Sequence, residues 1–115
     1  MTTEHLTGIL AERVMRWGVA PDRFLMSGRS WTPRWRFQPT KKLEDAFRLL
    51  DAADPDEYCI ESRRARSLYV RVLLGGSAGE SVDASKPRAI THAIARAIGV
   101  EPDSGEAEGA GEELR

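Results

Sequence analysis

The sequence offers little material for disulfide, metal or covalent chemistry. Among its 115 residues are one cysteine, Cys59, and two widely separated histidines, His5 and His92. A lone cysteine cannot form an internal disulfide, and these three side chains do not have the spacing of a metal-ligand cluster. We therefore expect no disulfide and no metal site, as is usual for a protein of a reducing compartment.

Familiar catalytic motifs are missing too. The chain contains no dinucleotide-binding glycine pattern, phosphate-binding loop, zinc-protease helix or serine-hydrolase elbow. A cysteine nucleophile would need a histidine base beside it. Cys59 falls in a predicted strand and His92 on the charged side of a predicted helix, which does not favour such a pair. The sequence predicts a non-enzymatic protein without a cofactor.

Long apolar stretches are absent as well. No run approaches the roughly 18 apolar residues that a membrane-spanning helix needs. No positively charged start precedes an apolar segment. Neither membrane insertion nor export is expected, so the predicted location is the cytoplasm.

The composition is that of a globular domain followed by an acidic tail. Apolar residues make up 41% of the chain and charged residues 30%, which is ordinary for one soluble domain of this length. Residues 1–100 carry a net charge of +4, whereas residues 101–115 carry −5, with much glycine and almost no apolar side chain. Such a segment cannot bury enough surface to offset its ordering entropy. We predict one domain over 1–100 and a disordered acidic tail over 101–115.

Helical periodicity appears in three segments, each with an apolar stripe. The first is predicted to end at Gly18, and its stripe comprises Leu6, Ile9, Leu10, Val14 and Trp17. The second is predicted to begin with Thr40 as its N-cap, and its stripe comprises Leu43, Ala46, Phe47 and Leu50. The third, KPRAITHAIARAIGV, is predicted to be capped by Ser85 and to end at Gly99.

The stretch WTPRWRF at 31–37 alternates between aromatic and basic side chains. In an extended strand Arg34 and Arg36 take one face. The other face then carries Trp31, Trp35 and Phe37. Because large aromatic side chains dominate protein cores, we predict that this aromatic face is buried. The alternative is an exposed platform on which single-stranded nucleic acid stacks.

Two more strands are predicted, EYCIES and SLYVRVLL, on either side of the basic loop RRAR at 63–66. In an antiparallel hairpin Tyr58 and Ile60 lie on the same side as Leu68, Val70 and Val72. The following GGSAGESVDAS is interpreted as a flexible connection. The predicted order is α-β-α-β-β-α, an α/β (α+β) fold in which a small, mainly antiparallel sheet of about three strands is layered with three helices.

Three pieces of the chain together resemble the phage ABA sandwich domain family. They are ERVMRWGV at 12–19, WTPRWRFQPTKKLEDAFRLLDAA at 31–53 and KPRAITHAIARAIG at 86–99. The sequence departs from the family pattern at Arg16, where glycine is common, and in the RFQ that separates Trp35 from the helix start. The resemblance spans roughly residues 6–100. It implies a sheet layered with helices and a phage or prophage origin, but no catalytic residues.

Five basic side chains are candidates for ligand binding. Arg88, His92 and Arg96 recur every four residues along the third predicted helix. Arg34 and Arg36 lie in the predicted strand. If these groups converge they form a phosphate pocket, because the planar guanidinium suits that anion. If they do not converge, they are a solvated surface.

The sequence therefore favours a small non-enzymatic accessory protein of phage or prophage origin that binds a protein partner or a small anionic, nucleotide-like ligand. The alternative is a nucleic-acid-binding module that uses Arg34, Arg36, Arg88 and Arg96. The acidic tail nearly balances the basic body, which makes nucleic acid the weaker interpretation. A homodimer is a further possibility, because a small sheet has edge strands that must be paired or covered.

Overall fold

The computed structural model describes residues 1–102. Its helices and strands follow one another as α1 (Thr3–Arg13), β1 (Gly18–Val19), β2 (Arg23–Leu25), β3 (Trp31–Pro33), α2 (Leu43–Ala53), β4 (Glu57–Arg63), β5 (Ser67–Leu74), β6 (Ser77–Asp83) and α3 (Lys86–Ala97). Apart from Glu101 and Pro102, the tail predicted over 101–115 lies outside the described residues.

The predicted fold class is confirmed, with the strands divided between two sheets. All strand pairs are antiparallel: β1-β2-β3 form the first sheet and β4-β5-β6 the second. In the second sheet Tyr58 pairs with Val72 and Ile60 with Val70, which confirms that these residues share one face. The predicted flexible connection was wrong, because it contains β6. β6 shows no apolar alternation, since its buried positions are Gly79 and a serine.

Two helix boundaries differ from the prediction. α1 ends at Arg13 instead of reaching Gly18, and Arg16 then turns the chain with a φ of 63°. α2 begins after Lys42, whose side chain makes no capping hydrogen bond, so Thr40 is not the N-cap. The segment between β3 and α2 is fixed by other contacts.

The buried stripe of α2 is rotated from its predicted position. Asp45, expected on the outside, is buried, and its Oδ2 accepts a hydrogen bond from the backbone N–H of Gln38 at 2.9 Å. That bond compensates for burying the carboxylate and closes the turn before the helix. Leu43 and Phe47, expected inside, are instead 38% and 39% exposed.

α3 matches the prediction at both ends. The hydroxyl of Ser85 accepts a hydrogen bond from the Arg88 backbone N–H at 3.4 Å, and Gly99, with a φ of 88°, follows the last turn. The helix packs on β5 and β6 on one side and against α2 on the other. Its buried residues are Ala89, Ile90, Thr91, Ala93, Ile94, Ala95 and Ala97.

Gly79 lets α3 approach the second sheet closely. A Cβ at this position would overlap the backbone oxygen of Ala93 and the backbone nitrogen of Ala97, and would lie 2.9 Å from the Ala97 Cα. Only glycine leaves room for a helix backbone at that distance from a strand. The small side chains of α3 and Gly79 therefore set the spacing between helix and sheet.

The two hairpins of the second sheet turn through left-handed residues of different kinds. The β5–β6 turn uses Gly75 and Gly76, with φ of 56° and 85°. The β4–β5 turn, which falls on the predicted RRAR loop, uses Ala65 and Arg66, with φ of 62° and 59°. Glycine adopts this conformation without a steric cost, whereas a residue with a Cβ does not.

Candidate functional site

The aromatic face predicted for 31–37 is not a single buried strand. Extended pairing stops at Pro33, which is opposite Arg23, and residues 34–36 form a short 3-10 turn. The turn directs Phe37 into the core, where it is 2% exposed, but leaves Trp31 and Trp35 53% and 64% exposed. The prediction that both tryptophans are buried was therefore wrong.

The buried aromatic cluster consists of different rings. Phe37 packs edge-on against Trp17 and Phe24, with ring centroids 5.0 and 6.0 Å apart. Trp17 and Phe24 are 5.8 Å apart. This cluster closes the space between α1 and the first sheet. Because it fills that space, the two tryptophans of the 31–37 stretch remain at the surface.

An arginine guanidinium lies over the ring of each of these exposed tryptophans. The Arg23 guanidinium lies 4.5 Å from the Trp31 ring centroid, and that of Arg36 lies 5.5 Å from the Trp35 ring. Such cation–π contacts hold flat side chains in place at a surface. Leu25, which pairs with Trp31 across the sheet, is exposed on the same face.

Arg34 connects three segments beneath this surface. Its Nη1 donates to the carbonyl oxygen of Ala20 and its Nη2 to that of Glu4, each at 3.3 Å. The guanidinium also lies 5.0 Å from the Phe24 ring centroid. The half-buried side chain therefore ties the first turn of α1 to the connection between β1 and β2.

A cleft of about 710 Å³ opens beside Arg34, between the first turn of α1 and the 3-10 turn. We call it the α1 cleft. Trp35 lines it, together with three side chains that can carry positive charge, namely His5, Arg34 and Lys41. Ligand pockets of small molecules typically have about 300–1,000 Å³. The α1 cleft therefore has the volume for a nucleotide-sized molecule.

Two carboxylates also line the α1 cleft, and they differ in their pairing. Asp22 receives hydrogen bonds from Arg23 at 3.2 and 3.0 Å, which lower its pKa and keep it charged. Arg23 balances that charge. Glu4 lies in the first turn of α1, where the helix dipole favours a negative group. Glu4 is the main electrostatic obstacle to an anion in this cleft.

The predicted group on α3 lies in a separate, smaller cavity. Arg88, His92 and Arg96 line about 250 Å³ together with the start of α1 and part of β6. Arg88 forms an ion pair with Asp83 at 2.8 Å. Arg96 donates to the backbone oxygen of Glu80 at 2.8 Å and to the carboxylate of Glu101 at 3.1 Å. These guanidiniums already hold β6 and Glu101 to α3.

The groups around Asp83 lower the pKa of its carboxyl group. Burial raises its pKa, but the hydrogen bonds from the Arg88 side chain and the Ser85 N–H, and nearby positive charge, outweigh burial and leave the pKa below its usual value. The carboxylate is therefore a fixed negative charge in the cavity, and this charge disfavours the binding of an anion there.

The five predicted binding residues thus lie in three places. Arg34 is in the α1 cleft, Arg36 on the outer surface against Trp35, and Arg88, His92 and Arg96 in the smaller cavity. They do not converge on one pocket. Sequence reasoning missed His5, which lies on α1, and Lys41, which lies in the same connection between β3 and α2 as Arg34.

Neither a metal site nor a membrane span is found in the described part of the chain. Within residues 1–102 no three side chains of histidine, cysteine, aspartate or glutamate group as metal ligands would. None of the helices described there combines the length and hydropathy needed to cross a bilayer.

Comparison with known proteins supports the fold. No protein-family model matches the chain, and no curated protein matches its sequence. A crystal structure of a phage protein from Bacillus cereus ATCC 14579 is similar, with a TM-score of 0.69 over 88% of this chain and 91% of that one. The two sequences are 15% identical. This chain therefore shares its fold with a phage protein.

Proposed function

We propose that this chain is a small non-enzymatic accessory protein of phage or prophage origin that binds a small anionic, nucleotide-like ligand in the α1 cleft. The observation that carries the proposal is a nucleotide-sized cleft lined by the exposed ring of Trp35 and by His5, Arg34 and Lys41. The fold shared with a phage protein and the sequence resemblance to the phage ABA sandwich domain family support the origin.

The cleft contains groups for each part of such a ligand. The Trp35 ring offers a flat apolar surface for a base, and stacking of this kind contributes about 1–3 kcal/mol per base. Lys41 and His5, which line the cleft with the first turn of α1, are the contacts that we propose for a phosphate. Arg34 is held by two carbonyls, so it keeps its place when a ligand enters.

A thermal-shift panel of nucleotides and cyclic dinucleotides tests this proposal. We expect at least one nucleotide to raise the melting temperature, and Trp35→Ala to weaken its affinity about tenfold or more because the stacking surface is lost. Trp31→Ala is the matched control, since it removes another exposed ring that lies against an arginine but does not line the cleft.

Glu4→Gln provides a test of the electrostatics in the same assay. It removes the carboxylate opposing an anion, so we expect tighter binding by a few-fold. If no nucleotide shifts the melting temperature of the unmodified chain or of Glu4→Gln, the ligand proposal is wrong. The remaining alternative is then that the chain binds a protein partner. The exposed Leu25 and Trp31 of the first sheet are then the surface to examine.

A second candidate function is the binding of single-stranded nucleic acid. The observation in its favour is that Trp31 and Trp35 are both exposed and both lie against arginines. Such alternation suits successive bases and a phosphate backbone. The other arginines proposed for this role lie elsewhere, with Arg34 in the α1 cleft and Arg88 and Arg96 in the smaller cavity.

Retention on single-stranded DNA distinguishes the two functions. Nucleic-acid binding predicts that retention falls with salt, that either tryptophan variant weakens it, and that removal of residues 101–115 strengthens it. Loss with Trp35→Ala alone favours the cleft instead. Undetectable retention before and after truncation excludes this second candidate.

A further inference from the structure

β4 is an edge strand whose outer side has no partner among residues 1–102. It pairs with β5 along all seven residues from Glu57 to Arg63. Every one of the seven is exposed. It contains no proline or lysine, which natural proteins place in edge strands to prevent further pairing. Its outer N–H and C=O groups are therefore available to another strand.

An apolar groove runs along the same edge. Tyr58 and Ile60 are 55% and 36% exposed, and they lie on the face of the second sheet that contacts the helices. Leu43 and Phe47 of α2 face the groove from above, and Lys86 lies at its rim. Apolar side chains beside an unpaired strand are typical of an interface.

The sequence of β4 is complementary to itself. Two identical strands paired antiparallel about a two-fold axis place residues of the same face opposite each other, so the axis passes through a residue. With the axis at Ile60, Glu57 lies opposite the partner's Arg63, and this ion pair occurs twice. An axis at Cys59 would instead place Glu57 opposite the partner's Glu61, and like charges in that position are destabilising.

We propose that β4 pairs with β4 of a second copy of this chain, antiparallel and centred on Ile60, to form a continuous six-stranded sheet. Two contacts already fix the position of the Arg63 guanidinium on this face. It lies 3.0 Å from the Glu61 carboxylate and 4.5 Å from the Tyr69 ring centroid. The two grooves then meet across the axis, and Ile60 contacts its counterpart. This inference is independent of the α1 cleft, to which β4 contributes no lining residue.

Charge argues against the chain's own C-terminal segment as the occupant. Residues 103–115 contain five acidic residues, one basic residue and a single large apolar side chain. β4 itself has two acidic residues and one basic residue. Arg63 is the one basic residue of β4 that could pair with those five carboxylates, whereas two β4 strands centred on Ile60 place both arginines opposite a glutamate. Glycine-rich sequence is also a poor strand former.

Sedimentation equilibrium of the full chain tests the proposal by charge reversal. We expect a dimer, and we expect Glu57→Arg to raise its dissociation constant about tenfold, because two ion pairs become two repulsive contacts. Adding Arg63→Glu to that variant should restore the dimer. Glu12→Arg on α1 makes the same charge change away from β4 and should leave the dimer unchanged.

Three outcomes would overturn the proposal. The first is a monomer at every concentration of the full chain. The second is a dimer that Glu57→Arg strengthens, which indicates the axis at Cys59. The third is a dimer that forms only after residues 103–115 are removed, which indicates that this segment occupies the edge.

A disulfide crosslink tests the register without relying on charge. In a Cys59→Ser background, Ile60→Cys should form an interchain disulfide under mild oxidation, since the two cysteines face each other across the axis. The unmodified chain should crosslink poorly, because Cys59 is then opposite the partner's Glu61. Efficient crosslinking through Cys59 and none through Ile60→Cys contradicts the proposed register.

Discussion

The strands of the second sheet are seven, eight and seven residues long, whereas those of the first have two, three and three. The second sheet packs against α3, which approaches it at Gly79. The first sheet buries one large ring, Phe24, and turns Trp31 outward. The second sheet therefore stabilises the fold through close packing with α3. The first sheet exposes aromatic and basic side chains near the α1 cleft.

The strongest test of this contrast is Gly79→Val. The added side chain overlaps the backbone of α3, which no rotamer change relieves, so we expect a loss of about 4 kcal/mol or more in the free energy of unfolding. Urea denaturation measures it. Ala78→Val, at an exposed position of the same strand, is the control and should change stability by less than about 0.5 kcal/mol. A mild effect of Gly79→Val would mean that α3 moves freely on the sheet.

Phe24→Ala asks whether the first sheet belongs to the same cooperative unit. The ring is fully buried against Trp17, Phe37 and Arg34, so its loss should cost about 3 kcal/mol by urea denaturation with a single transition. Trp31→Ala, in the neighbouring strand but exposed, should cost less than about 0.5 kcal/mol. Two separate transitions would show that the two sheets unfold independently.

Asp83→Asn compares charge with packing in the second sheet. Since the pKa of Asp83 is lowered in the folded state, its carboxylate stabilises the fold above the unfolded-state pKa of about 3.9, and this contribution is lost as the pH falls through the folded pKa. Asparagine should cost under about 1 kcal/mol at neutral pH. The cost should disappear in acid, where Asp83 is protonated. An equal cost at both pH values in urea denaturation would rule out the charge as its source.

The elements predicted correctly from sequence are those whose pattern extends over several turns or residues. α3 shows its cap, apolar stripe and terminal glycine, and β4 and β5 alternate long enough to show which of their residues share a face. β6 was missed because it packs through Gly79 and a serine, which carry no apolar signal. Asp45 was placed outside because hydropathy alone does not indicate that the Gln38 N–H binds its carboxylate.

The candidate site was predictable only in part. The sequence singled out Arg34, which does line the α1 cleft, but two features were beyond its reach. The strand ends at Pro33, and the 3-10 turn that follows decides which aromatic side chain is buried. His5 reaches the cleft from α1, far from Arg34 in sequence, and only the packing of α1 against the first sheet brings it there, whereas Lys41 lies near Arg34 in the connection to α2.

The left-handed turns of the second sheet differ in how firmly they hold its strands. Closing β5–β6 through Gly75 and Gly76 incurs little penalty, while closing β4–β5 through Ala65 and Arg66 costs about 1 kcal/mol or more for each residue. Within a single copy of the chain, β4 is therefore the strand of this sheet that is held least firmly by its turn. In native-state hydrogen exchange at concentrations where the proposed dimer is dissociated, we expect the β4 amides to exchange through openings of lower free energy than those of β6.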